Sequence, residues 1–320
     1  MQFAKRTLLL AAVLACSAAQ AQETYPNQPI RWIVPLTPGS SSDVTARAIA
    51  QKISVPLGQP VVVENRPGAN GGIAMQAAAR SKADGYTFVV GTVSTTVVPS
   101  IISKTVMFDL FKDFTPVATM ANTPLLMTVA YDSPLKSVAD LVATAKKAPG
   151  TLTYGNSAGL YRIAMEAVNS YAGIDMMEVP FKGPAQAATE LLAGRLSVNP
   201  DALGAAGPML QAKRMRALAV LGSSRTATLP DVPTMQELGY KDFAFNGWLG
   251  ILAPTGTPQP IIDRLHKEIE LAVKTPEIQA LYARLGMDPT VLSPQAYGDA
   301  MKRDTAQYGA VAQRAGIEKQ

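Results

Sequence analysis

The chain has 320 residues, a formal net charge of +5, one cysteine and one histidine. A lone Cys16 excludes a disulfide framework and a cysteine-built metal site, and a lone His266 leaves no Ser-His-Asp or His-rich metal constellation. No dense Lys/Arg run supplies the footprint of a nucleic-acid binder, while 48% hydrophobic residues are enough for a large globular core.

In chain order, Lys5 and Arg6 precede a short apolar run, Thr7 to Cys16, and Ala19-Gln20-Ala21 offers the small residues that signal peptidase requires. The run is too short for a hydrocarbon core of about 30 Å. Residues 1–21 are therefore read as an export signal, and the expected location is periplasmic. Val13-Leu14-Ala15-Cys16 loosely resembles a lipoprotein box, but the Ala-x-Ala site fits better and no lipid anchor is expected. Loss of Lys5 and Arg6 removes two of the five net charges; the remaining positive balance suits an anionic ligand without requiring one.

Beyond the signal, short β-branched runs alternate with helical segments, the pattern of an α/β protein whose sheet is covered by helices. Ile30 to Val34 is a strand, followed by the turn Thr37-Pro38-Gly39-Ser40-Ser41-Ser42-Asp43 and a helix from near Val44 with Ala46, Ile49, Ala50 and Ile53 on one face. Strands are also expected at Val61–Asn65, Thr87–Val90, Leu125–Ala130, Leu152–Tyr154, Met177–Pro180 and Ala217–Leu221. Helices are expected from Gly71-Gly72 to Ala79 and over Ser137–Lys147, Tyr161–Ala172 and Ala187–Ala193. Three late helices, from Pro260, Pro276 and Pro294, each carry proline near the first turn, a start signal.

Two strand-to-helix turns, Thr37–Asp43 and Gly155–Tyr161, are rich in glycine and in hydroxyl or amide side chains. Each would present unpaired N–H groups at a helix N-terminus, where the macrodipole also favours an anion. Facing each other, they would form a carboxylate clamp. Separately, they would merely cap their helices.

The residues closely resemble a known family. Tyr25-Pro26-x-x-Pro29-Ile30-Arg31-x-Ile33-Val34-Pro35, Pro38-Gly39-x-x-x-Asp43, Val63-Glu64-Asn65-Arg66-Pro67-Gly68-Ala69, Asp84-Gly85-Tyr86-Thr87, Val179-Pro180-Phe181-Lys182-Gly183 and Leu229-Pro230-Asp231-Val232-Pro233-Thr234 occur in one order. Together they look like the Bug-type, TctC-like solute-binding receptors of tripartite tricarboxylate transporters. The resemblance implies a two-domain type II periplasmic-binding-protein fold, with residues 22–123 plus 243–320 forming one domain and 124–242 the other. It further implies a small carboxylate ligand, delivery to membrane components of the transporter, a monomer, no cofactor and no catalysis. The family's ligand residues map onto Thr37, Gly39, Ser40, Ser41 and Asp43, and onto Asn156, Ser157 and Gly159. Two departures stand out: Pro38-Gly39-Ser40 replaces the family's Pro-Gly-Gly, and Gly159-Leu160-Tyr161-Arg162 replaces a turn that usually reaches a His-Leu pair.

Individual residues carry paired readings. Arg162 could fork onto a ligand carboxylate or lie solvated on its helix. Tyr161 could stack on a ring or serve the core; the two together point to a dicarboxylate or aromatic acid. Asp43 reads as an N-cap before a ligand partner, and Lys182 as a surface lysine before a second positive charge. Asp201 follows Asn199-Pro200 and could cap a helix or face the cleft. Ser94 and Thr95 follow a strand end, where open α/β sheets place ligands. The rival functions are an exported enzyme acting on a small organic acid and a sensory binding partner of a membrane kinase.

Overall fold

The computed structural model describes residues 25–319; the expected signal and Cys16 lie outside them. The architecture is α/β, with the elements distributed over two sheet systems. The first sheet holds β1 (Ile30–Val34), β2 (Val61–Asn65), β3 (Thr87–Thr92), β4 (Phe114–Thr123) and β10 (Gly247–Pro254), in the order β2-β1-β3-β10-β4. β1 pairs parallel with β2 and β3, in the registers Ile33↔Glu64 and Trp32↔Phe88. β10 runs antiparallel to both β3 and β4. The second system holds β5 (Leu125–Ala130) between β8 (Asn199–Ala202) and β9 (Met215–Val220), while β6 (Thr153–Asn156) pairs with β7 (Met177–Pro180). A bridge from Tyr154 to Val198 joins the two groups.

β3 is buried almost throughout and β1 everywhere but Arg31, which is why both read as mainly apolar runs, whereas β2 lies at the sheet edge and exposes Val62. Helix α1 (Ser41–Leu57) covers one face of the first sheet with Ala46, Ile49, Ala50 and Ile53, as their spacing predicts. It ends at Gly58, left-handed at φ +68°, a backbone state that glycine adopts without steric cost. Helices α2 (Gly72–Ala79) and α3 (Val97–Ile102) sit beside the strand ends. The second system carries α4 (Val138–Lys147), α5 (Gly159–Ala172), α6 (Pro184–Leu192) and α7 (Leu203–Gln211). The chain returns to the first sheet as β10 and then adds α8 (Gln259–Val273), α9 (Pro276–Leu285) and α10 (Pro294–Arg314).

Several boundaries differ from the sequence expectations for identifiable reasons. α1 starts at Ser41, because Ser40 is the N-cap and its Oγ accepts from the Asp43 N–H at 3.3 Å. Asp43 is therefore not the cap; it is the third helical residue. α5 and α6 start earlier than expected, at Gly159 and Pro184, and β3 runs two residues longer. Strands β4 and β10, the antiparallel pair at one side of the sheet, carry Pro116, Gly247 and Gly250, which disguise them as loops.

The chain passes between the sheet systems at Pro124, between β4 and β5, and again near Asn246, before β10. Around the second passage, Phe243 meets Phe245 edge-on, Phe245 stacks on Tyr308, and Trp248 Nε1 donates to the buried Asp304 at 2.9 Å. α10 packs against both β4 and α5, so apolar contact runs without interruption from one sheet system to the other.

Candidate functional site

A cleft of about 510 Å³ opens where β1, β2 and β3 end, with one wall from the turn after β6. Pro35, Leu36 and Thr37 come from the end of β1, and Pro67 to Gly71 from the end of β2. Ser94 and Thr95 follow β3, and α3 adds Val98, Pro99, Ile102 and Ser103. Across from them stand Ser157, Ala158 and Gly159. This is the crevice beyond the carboxyl ends of parallel strands, where open α/β sheets take their ligands.

The β2 side is built by unusual backbone. Gly68, Ala69, Asn70 and Gly71 all have positive φ, at 125°, 47°, 51° and 89°. Two of the four are not glycine, a concentration of costly conformations of the kind held at functional sites. At Gly71 an added Cβ would lie 2.7 Å from Thr95 Cβ and 3.3 Å from Pro35 Cβ, so glycine here lets three strand ends meet. This turn is not among the ligand residues expected from the sequence, yet it forms one wall of the cleft. The Pro-Gly-Ala-Asn-Gly-Gly string was the available signal.

The cleft lining contains no charged side chain. Its polar side chains are the hydroxyls of Thr37, Ser94, Thr95, Ser103 and Ser157 and the amide of Asn70. Thr95 is buried and locked in a reciprocal capping box with Thr92. Ser157 Oγ is buried with no hydrogen-bond partner among the described residues. The first turn of α5 faces the same space through Gly159, whose Cβ position lies 2.7 Å from Val98 Cγ1 and 2.9 Å from Ile102 Cδ1. Any side chain there would press the two walls apart.

Of the residues singled out in the sequence, Thr37, Ser94, Thr95, Ser157 and Gly159 line this cleft. Gly39, Ser40 and Ser41 shape the neighbouring turn without lining it: Ser40 N–H donates to Thr37 O at 3.2 Å. Asp43 is buried and accepts from the Gly39 N–H, Asn65 Nδ2 and Arg47 Nε. Burial alone would raise its pKa, but these donors outweigh burial and hold the carboxyl below its ordinary range.

The remaining five, Asn156, Tyr161, Arg162, Lys182 and Asp201, stand elsewhere. Arg162 Nε lies 2.8 Å from Glu178 Oε2, and both side chains are about one quarter exposed. The approach is off the N–H axis, a charge contact and not an aligned hydrogen bond. Asn156 Nδ2 donates to the other oxygen of the same Glu178 at 2.6 Å. Tyr161 packs against the core and its hydroxyl accepts from the Ala202 N–H. Lys182 is exposed. Asp201 is 1% exposed and borders a different cavity, between α6 and α7; burial pushes its carboxyl up to about 7.

Comparison with known proteins places the chain in a family. Residues 45–317 match the family described as tripartite tricarboxylate transporter family receptor. Protein BugT of Bordetella pertussis is 33% identical over 286 residues, covering 88% of each chain. A Rhodopseudomonas palustris protein solved with adipate superposes with a TM-score of 0.78 at 33% identity, over 92% of this chain and all of that one. MatC of the same species, solved with malate, gives 0.74 at 26% identity, covering 90% of this chain and 99% of its own. The chain therefore belongs to the tripartite tricarboxylate transporter family receptors, two-domain periplasmic solute-binding proteins of the Bug type and not enzymes.

Proposed function

We propose that this protein is an extracytoplasmic receptor that captures a small carboxylate, a dicarboxylate or aromatic acid, in the cleft beyond β1, β2 and β3. It then delivers the ligand, by domain closure, to the membrane components of a tripartite tricarboxylate-type transporter. The observation that carries this reading is the composition of the cleft: hydroxyl and amide side chains from two sheet systems line it and no side chain in the lining is charged. A carboxylate suits such a lining, because neutral donors in a partly desolvated crevice stabilise an anion without a competing counter-charge.

Within this reading the ligand group falls to Thr37, Ser94, Thr95, Ser157 and the α5 N-terminus at Gly159. Gly39, Ser40, Ser41 and Asp43 set the shape of the first turn. The domain division at 22–123 with 243–320, and 124–242, is supported by the membership of the two sheet systems and by the passages at Pro124 and Asn246. Periplasmic export, the transporter partnership and a monomeric state are carried by family likeness. The adipate and malate held by the two relatives make dicarboxylates the first compounds to try.

Calorimetric titration of the purified chain with adipate, malate, citrate and an aromatic monocarboxylate tests the reading. Saturable binding of at least one acid, lost when Thr95 and Ser157 are both changed to alanine, is the expected result. Absence of binding by every acid, or binding indifferent to both substitutions, overturns it.

A further inference from the structure

A second cavity, of about 750 Å³, lies between α6 and α7 and shares no lining residue with the cleft. Its walls are short alkyl groups and a thioether, from Ala188, Leu192, Ala205 and Met209. Its inner edge is Asp201 and its outer edge the exposed Arg214. Its size is in the range of small-molecule sites, which are apolar with few placed polar groups.

Asp201 sits at the end of β8, paired in register with Leu126. Asn199 Nδ2 lies 3.4 Å from Oδ2, while Oδ1 is buried and has no partner. Arg214 borders the same cavity, yet its recorded side-chain contact is with Met209 Sδ at 3.9 Å, and not with Asp201. The Ala202 N–H also favours the ionised carboxyl, which leaves Oδ1 as the unsatisfied oxygen; a buried acceptor without a donor is costly, and folds rarely leave one. Among the described residues no cluster of three or more metal-ligating side chains exists, so a multiply coordinated metal ion is not the missing partner. The group that complements a single acceptor at the base of an alkyl-walled groove is a hydrogen-bond donor carrying positive charge on an alkyl body.

We propose that the α6–α7 groove is a second binding site, taking an organic ammonium whose cationic head pairs with Asp201 Oδ1 and whose alkyl chain lies on Ala188, Leu192, Ala205 and Met209. The pairing is ionic and hydrogen-bonded, so it supplies head-group selectivity, while the walls contribute through apolar burial. The site is independent of the carboxylate cleft, and neither reading stands or falls with the other.

The test is calorimetric titration with n-butylammonium, n-butanol and butyrate, applied to the full exported chain and to Asp201→Asn and Ala205→Leu. The second variant fills the groove and leaves the carboxyl in place. Butylammonium should bind the parent chain, at least tenfold more tightly than butanol, with butyrate not competing for the groove. Both variants should lose at least tenfold in butylammonium affinity while keeping whatever carboxylate affinity the parent shows. No butylammonium binding by the parent chain overturns the proposal, as does equal binding by the parent and Ala205→Leu. If Asp201→Asn fails to fold, the comparison with Ala205→Leu decides alone.

Discussion

Glu178 joins Arg162 to Asn156: one carboxylate oxygen meets Arg162 Nε at 2.8 Å and the other accepts from Asn156 Nδ2 at 2.6 Å. The most attractive cation near the second turn is thereby committed to the α5–β7 junction, and the candidate cleft is left to neutral donors. Ligand choice then depends on where hydroxyls and N–H groups stand, more than on a charge.

Arg162→Ala should accordingly act on stability. With both partners about one quarter exposed, loss of the pair costs about 1 kcal/mol after solvent screening. Affinities for a dicarboxylate and for its monocarboxylate analogue should shift by the same small factor, in calorimetry run beside thermal melts. A selective loss of the dicarboxylate would return Arg162 to the ligand.

Gly159→Ala should loosen ligand capture with little effect on folding. The added methyl would meet Val98 Cγ1 and Ile102 Cδ1 at under 3 Å, and these are side-chain ends that can yield if the walls separate. Affinity should fall by about an order of magnitude, given that over-packing costs of about 1–3 kcal/mol are ordinary. Melting temperature should barely move.

Asp201→Asn should stabilise the protein at alkaline pH. The folded carboxyl keeps its proton up to about 7, whereas its ordinary value is 3.8. Between those values the folded state binds more protons than the unfolded state, so this group's contribution falls as pH rises and levels off above 7. The gain from the amide should be absent below pH 4 and reach a few kcal/mol, at most about 4, above pH 7. Denaturant melts at pH 4, 6 and 8 read it directly.

Asp43→Asn should do the opposite. The carboxylate, held below its ordinary range despite burial, contributes stability that is present above about pH 4 and lost as pH falls through its folded value. Loss of its charged hydrogen bonds to the Gly39 N–H and Arg47 should cost about 1.5–3 kcal/mol at pH 7. The deficit should shrink in acid, measured by the same melts.

The sequence was most legible where local chemistry is strong. β1, β2, β5 and β7 stand where β-branched runs place them, and Pro276 and Pro294 open their helices as expected. Legibility failed where tertiary context overrides local signals. β4 and β10 carry Pro, Gly and Ala because they lie against each other and under helices, where small residues allow close approach: Gly250 admits Tyr297, whose ring would sit 2.7 Å from an added Cβ. In the candidate site, five of the fourteen residues named from sequence line the cleft, namely Thr37, Ser94, Thr95, Ser157 and Gly159. Those near in sequence but turned elsewhere, Tyr161 and Arg162, found partners on β8 and β7 that no local spacing could reveal.

The two passages between the sheet systems leave from strands that are themselves a hydrogen-bonded pair, with Gly247 opposite Thr123 at the very end of the β4–β10 ladder. Two tethers fastened side by side behave as a single axle. In the proposed closure, sliding would have to strain both tethers at once whereas twisting would only flex them, so the movement would reduce to one angle. Under the closure proposed above, a membrane partner would need to gauge just that angle, and molecules of different shape that stop the rotation at the same point would look alike to it.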